Sequence, residues 1–170
     1  MNNVSEAVYS AFLQSPVGVL KICTTSNSVT HISFHSNEMG QHFPFPQEAP
    51  PVLQQCINEL EEYFSGKRQR FEVPVTPSGT PFQQQVWQQL CEIGFGQQRS
   101  YAQQAHKLGN IKAIRALASA NGKNPVVIII PCHRVIGSDG SLVGFGGGLW
   151  RKKWLLEHEA KLSNGVLTLF

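Results

Sequence analysis

Cys132 and His133 stand side by side in "VVIIIPCHRVIGSDG" (residues 126 to 140), behind five aliphatic residues and a proline and just ahead of a turn-forming Ser-Asp-Gly. A cysteine attacks an electrophile as its thiolate, so it needs a base or a cation nearby, and His133 and Arg134 offer both in the next two positions. A thiol placed where an apolar run leaves the core is presented in a pocket rather than in open water. Cys23, Cys56 and Cys91 each lie inside an amphipathic pattern and read as small packed hydrophobes. The four cysteines contain no CxxC pair, which suggests reduced thiols rather than a disulfide framework or a zinc ribbon. His31 and His35 share the polar face of a predicted strand with Ser33 and read as solvated, so neither a metal nor a cofactor is expected. From these residues alone a cysteine hydrolase is one reading, weakened because sequence neighbours are seldom a nucleophile and its direct base.

The elements around the thiol point toward nucleic acid. "SYAQQAHKLGNIKAIRALASANGKN" reads as an N-cap at Ser100, a helix to Leu108, a Gly109-Asn110 turn and a second helix from Ile111 to about Ala120, which is helix-turn-helix spacing. Its second helix is expected to bury Ile111, Ile114, Leu117 and Ala118 and to show Lys112, Arg115, Ala116 and Ser119. "HRVIGSDGSLVGF" looks like a β-hairpin, which would make a wing, and "VVIII" reads as the rigid apolar strand before the thiol. "GFGGGLW" (144 to 150) fits neither the dinucleotide fingerprint nor the P-loop. "LWRKKWLLEHEA" is a closing helix with Leu149, Trp154, Leu155 and His158 near one side and Arg151, Lys152 and Lys153 mostly exposed.

Charge divides unevenly between the halves. Residues 1 to 78 hold four Lys and Arg against seven Asp and Glu, and residues 79 to 170 hold ten against four, within a net charge of +3. A basic half of this kind suits a polyanion, because cations that meet phosphates release counterions. The longest apolar run, Val126 to Ile130, is far short of the roughly 20 residues that span a bilayer. The start "MNNVSEAVYS" lacks the form of a signal peptide, so a cytoplasmic protein is expected.

Two domains are expected, 1–78 and 79–170. The first is an α/β unit: short β-forming runs at 7 to 13, 18 to 24 and 29 to 35 make an antiparallel meander, and a loop follows at 37 to 50. A helix then places Val52, Leu53, Cys56, Ile57, Leu60 and Phe64 on one side, with Pro51 in its first turn and Gly66 as its stop. "RFEVPVTP" adds an edge strand interrupted by Pro74. The second domain is mainly helical and opens with Thr80 as N-cap, Pro81 at the first helical position and Phe82, Val86, Leu90 and Ile93 buried.

The blocks "SYAQQAHKLGN" (100 to 110), "NGKNP" (121 to 125), "IPCHRV" (130 to 135) and "GGGLWRKKWLLEHE" (146 to 159), in this order and spacing, resemble the O6-alkylguanine-DNA alkyltransferases. "SPVG" (15 to 18) and "SGTPFQQQVW" agree in outline in the first half. The resemblance implies a ribonuclease H-like first domain and a second domain with a winged helix-turn-helix. It implies direct-reversal DNA repair by a monomer that binds double-stranded DNA containing O6-alkylguanine and no membrane. The lesion would be flipped out and its alkyl group moved irreversibly to Cys132, once per chain; O4-methylthymine is left open as a second lesion. His133 matches the residue that deprotonates the cysteine through a water, Glu159 the carboxylate that holds it, and Asn124 the asparagine that braces the turn.

For substrate and DNA the resemblance implies Tyr101, Ala102, Asn110, Arg115, Ala116, Val135, Ser138, Phe145 and Gly146. Arg115 matches the arginine that enters the stack as the base leaves, and Tyr101 matches the tyrosine that crowds the adjacent phosphate and contacts the flipped base. Main-chain groups of Cys132, Val135 and Gly146 would meet the guanine edge. Phe145 stands where many members carry tyrosine and Ile111 where proline is frequent. A non-catalytic relative, in which another residue replaces the cysteine, is disfavoured by Cys132 itself. A winged-helix regulator with an incidental thiol is the other alternative.

Overall fold

The structure is a computed structural model that describes residues 6–36 and 42–163. The chain divides into two compact units, Met1–Ser78 and Gly79–Phe170. Part of the loop expected at 37 to 50 lies outside the described residues.

In the first unit β1 (Tyr9–Ser15), β2 (Gly18–Thr24) and β3 (Val29–His35) form an antiparallel sheet in sequence order. Gly18, at φ 99°, supplies the left-handed residue that the β1–β2 turn requires. Leu20, Ile22 and Ile32 are fully buried, and helix α1 (Pro51–Phe64) packs over the three strands. Its buried stripe is Val52, Leu53, Cys56, Ile57, Leu60 and Tyr63, so Tyr63 takes the place expected for Phe64, which is half-buried. Glu59 lies within that stripe, where its carboxylate accepts N–H bonds from Glu72 at 3.0 Å and Val73 at 3.1 Å. The edge strand expected there shrinks to a bridge in which Val29 donates to Pro74 O and Thr76 donates back to Val29 O. Pro74 has no N–H with which to extend the ladder.

The second unit begins with α2 (Pro81–Cys91), started by a capping box between Thr80 and Gln83. Val86, Trp87, Leu90 and Ile93 are buried, but Phe82 is exposed. Successive i+4 steps rotate by roughly 40° around a helix, so Phe82 drifts off the stripe and Trp87 occupies it. The Trp87 indole donates to Ala120 O at 2.9 Å. Strand β4 (Arg99–Ser100) leads into α3 (Tyr101–Lys107), with a second capping box between Ser100 and Gln103. After a turn through Gly109, a 3-10 turn (Ile111–Ala113) runs into α4 (Ile114–Gly122). A buried, reciprocal amide pair, Gln104 with Asn121, ties α3 to α4.

Three expectations are corrected here. Of the face assigned to the interior of the second helix only Leu117 is buried; Ile111, Ile114 and Ala118 are exposed, and Ala120 and Asn121 complete the packed side. The run 126 to 130 is not a strand but a tight turn, in which Ile129 donates to Val127 O and Ile130 to Val126 O. The expected hairpin does not form either. Strand β5 (Val135–Ile136) pairs in parallel with β4, and the chain beyond it closes a turn at Gly137–Ser141 and continues as a loop. The main chain at Val143 is held by side chains instead, accepting from Tyr101 Oη and Lys152 Nζ. Helix α5 (Leu149–Ser163) closes the described chain.

Candidate active site

The turn at 126 to 130 builds the floor of the site. Ile128 has φ 75°, a conformation that costs a β-branched residue about 1 to 3 kcal/mol. Burial of its side chain contributes a stabilisation of similar size, about 1.5 to 3 kcal/mol. Asn124 fastens the turn at both ends. Its Oδ1 accepts from Val126 N at 3.0 Å, and its Nδ2 donates to Ile130 O at 2.7 Å and to Cys132 Sγ at 3.1 Å. Pro131, at φ −84° and ψ 63°, then forms an inverse γ-turn in which Cys132 N donates to Ile130 O, and a 3-10 turn (Cys132–Arg134) follows.

Cys132 is therefore buried at the head of a rigid turn. Burial pushes its thiol up from the ordinary value, while the Asn124 amide, the Lys152 charge and two backbone N–H groups work the other way. His133 is fully buried, and burial holds its pKa below the usual histidine value against the pull of Glu159. Its Nε2 lies 2.7 Å from Glu159 Oε1, and its buried Nδ1 has no hydrogen-bond partner among the described residues. Burial alone would raise Glu159, but hydrogen bonds and charge from His133 and Arg134 outweigh it and keep the carboxyl well below its usual range. Arg134 donates Nε to Glu159 Oε2 at 2.9 Å and Nη2 to Oε1 at 3.0 Å, and its Nη1 caps Ile93 O. Gly96 N also donates to Oε2. Glu159 thus favours the protonated imidazole, and it is burial that keeps His133 neutral at rest and able to act as a base.

Lys152 is the functional candidate that sequence reasoning placed on the surface. It is fully buried on α5, and burial brings its pKa down to about 8, the Cys132 charge opposing that shift. Its Nζ donates to Val143 O at 3.0 Å and lies 5.7 Å from the Tyr101 ring centre. The sequence held one signal for it. Lys152, Leu155, Leu156 and Glu159 follow i, i+3, i+4, i+7 spacing, which is one helix face. The half-buried Tyr101 hydroxyl bonds to Val143 O at 3.1 Å, and burial together with the Cys132 charge pushes its pKa up. Tyr101, Asn124, Cys132, His133, Lys152 and Glu159 thus form one cluster.

The remaining expected residues are distributed around it. Phe145 and Gly146 lie on the loop that carries Val143, and a Cβ on Gly144 would stand 3.6 Å from Tyr101 Oη. Val135 is buried in β5; its N–H donates to Cys132 O and that of Cys132 to Ile130 O. The N–H groups of both residues are therefore engaged, and Cys132 O, which accepts from Val135 N–H, has only its second lone pair left for a base edge. Asn110, Arg115 and Ala116 are exposed on the helix-turn-helix, Ala102 is half-exposed on α3, and Ser138 is exposed at the turn after β5. None of these five makes a described contact with the thiol cluster. Among the described residues no group of three or more His, Cys, Asp or Glu could hold a metal ion. No described helix is long and apolar enough to cross a membrane.

Comparison with known proteins places this geometry in context. Residues 8–77 match the model of the ribonuclease-like domain of 6-O-methylguanine DNA methyltransferase, and residues 81–161 match that of its DNA binding domain. A methylated-DNA--protein-cysteine methyltransferase of Haemophilus influenzae is 44% identical over 158 residues, covering 90% of this chain and 87% of the relative. One of Methanosarcina barkeri is 39% identical, covering 89% and 97%. The crystal structure of Mycobacterium tuberculosis OGT in complex with DNA superposes with a TM-score of 0.80 at 37% identity, covering 91% of this chain and 94% of that one.

Proposed function

This chain belongs to the 6-O-methylguanine DNA methyltransferase family, and from that premise we propose that it repairs O6-alkylguanine in double-stranded DNA by moving the alkyl group to Cys132. The observation that carries the assignment to this residue is the buried chain Cys132, His133, Glu159, Arg134 beside a buried lysine. A duplex base cannot reach a buried thiol, so the damaged nucleotide must leave the stack, at a cost lowered by the weak pairing of the lesion. Arg115, exposed on α4, fills the gap. The exposed Ala116 lets the helix come close, while Asn110, Ala102 and Ser138 hold phosphates. Tyr101, Phe145, Gly146 and the carbonyls of Cys132 and Val135 receive the base.

The chemistry balances without a cofactor. His133 Nδ1, neutral and without a partner among the described residues, takes the thiol proton through one water; Glu159, bonded to Nε2, stabilises the imidazolium. Sγ forms a bond to the alkyl carbon as the carbon–O6 bond breaks, and the electron pair goes to the guanine. Lys152 stabilises the thiolate before transfer, and the Tyr101 hydroxyl or Lys152, which meet at Val143 O, gives the guanine the proton that it then takes up. The product thioether is not opened by thiol exchange, so each chain reacts once. The unpaired cysteines Cys23, Cys56, Cys91 and Cys132 support action in the cytoplasm.

Incubation with a duplex carrying one O6-methylguanine tests the reading. The intact protein is expected to gain the mass of one methylene, once, on the peptide that holds Cys132. Many turnovers, or alkylation of another cysteine, would overturn it. The Lys152 role carries its own prediction. K152M removes a buried charge and should fold at least as stably. Its transfer rate should fall about ten- to a hundredfold, because the buried thiolate loses the lysine charge that favours it. In the unaltered protein the single-turnover rate should decline as pH rises through about 8, when Lys152 loses its proton, and K152M should lack that limb.

A further inference from the structure

We propose that Ile111 and Ile114 form an apolar wedge that enters the minor groove beside Arg115 and pries apart the base step next to the extruded nucleotide. The inference rests on the DNA-repair reading above and names how the groove is engaged. Ile111 is 62% exposed and Ile114 37% exposed, whereas Ile93, Ile128 and Ile130 of the same unit are buried and Ile129 and Ile136 half-buried. The Ile111–Ala113 turn is 3-10, a geometry in which residues three apart eclipse each other, so the two side chains stand one above the other. Arg115 and Ala118 continue the same exposed stripe, and Leu117 and Ala120 anchor the opposite side. The segment is therefore held from behind while two stiff, β-branched side chains face outward with little rotamer freedom left to lose.

Charge selects the occupant of this stripe. Residues 93 to 138 contain no Asp or Glu and six Lys and Arg. Lys112 and Arg115 lie exposed on the stripe's own segment, and neither has an ion-pair partner among the described residues. An acid-free surface with apolar side chains between its cations matches a phosphate-walled groove with an apolar floor of sugar and base edges. Apolar side chains inserted at a base step partly unstack it and bend the duplex, which opens the path for the base to leave. Arg115 can then occupy the space that the wedge has loosened. The exposed Ala116 and Ser119 beside the stripe allow the close approach that the wedge needs.

The test uses the full-length I111A/I114A variant; alanine favours the helix, and the replaced side chains are exposed, so the fold is not at stake. Two substrates are compared with the unaltered protein: free O6-benzylguanine, and a duplex with O6-methylguanine flanked by 2-aminopurine. The variant should react with the free base at the unaltered rate, repair the duplex about tenfold more slowly and lose the 2-aminopurine brightening that reports unstacking. Its salt dependence of binding should not change, because no charge was removed. Equal duplex rates and equal brightening in both proteins would overturn the wedge. So would a parallel loss on the free base, which would place the isoleucines in the fold of the site, or altered sedimentation of the free variant, which would make the stripe a self-contact. Unaltered protein that leaves the duplex methylated would instead overturn the repair reading itself.

Discussion

Cys132→Ala is expected to abolish alkyl transfer altogether while leaving duplex binding within about twofold of the unaltered protein, since phosphate contacts dominate affinity. None of the other cysteines can substitute. Cys56 is buried inside α1, where burial and Glu59 push its thiol up to about 12. Cys91 is exposed, but partial burial raises its pKa despite the nearby Arg134 charge, and no histidine or asparagine is bonded to it. Cys23 lies on β2 in the other unit. Cys132 alone has an amide on its sulfur, a buried lysine charge and a neutral imidazole next to it. The check is mass spectrometry together with gel shifts on O6-methylguanine duplex: any residual transfer by C132A would show that the thiol cluster is not the acceptor. A tight complex that never turns over should accumulate, because the variant completes binding and base extrusion but has nothing with which to form the sulfur–carbon bond.

The sequence carried the local signals well. Strands over 18 to 24 and 29 to 35 were legible because turn residues bracket each β-forming run, and the helices over 51 to 64 and 81 to 91 were legible from prolines in the first turn and from spacing. Cys132 and His133 could be named from the residues and Glu159 only through the family resemblance, and in neither case the atoms that meet. What stayed hidden depends on contacts between distant segments. The "VVIII" run is a continuous β-branched stretch that reads as a buried strand, yet Asn124 and the burial of Ile128 bend it into a turn. Lys152 sits in a basic triplet that reads as solvated, and only the packing of α5 on the thiol turn shows that it alone of the three is fully buried. Ile111 and Ile114 look like core by residue type; they are exposed because Leu117, Ala120 and Asn121 already take the packed side of α4.

Loss of Glu159 is expected to cost both the fold and the reaction, and a double variant separates the two. Glu159 is the common acceptor for His133, Arg134 and the Gly96 N–H, so E159Q leaves the buried Arg134 guanidinium without a counter-charge. Breaking a buried pair in this way costs about 3 to 5 kcal/mol, whereas replacing both partners by apolar residues costs far less. R134M/E159L should therefore recover most of the stability lost in E159Q while its transfer rate stays low, because His133 still lacks the carboxylate that stabilises its protonated form. Recovery of the rate along with the stability would mean that Glu159 acts on the fold only. The pH dependence of stability follows from the same residues. His133 has a folded pKa below 6.5, so the unfolded chain binds more protons than the folded one as pH falls past that value, and stability declines. Glu159 is also depressed, so its contribution is fully present above pH 4.5 and is lost as acid protonates the unfolded carboxyl first. Thermal melts should therefore weaken gradually below pH 6.5 and more steeply below 4.5. In R134M/E159L the steeper acid limb should flatten, since the group responsible for it has been removed.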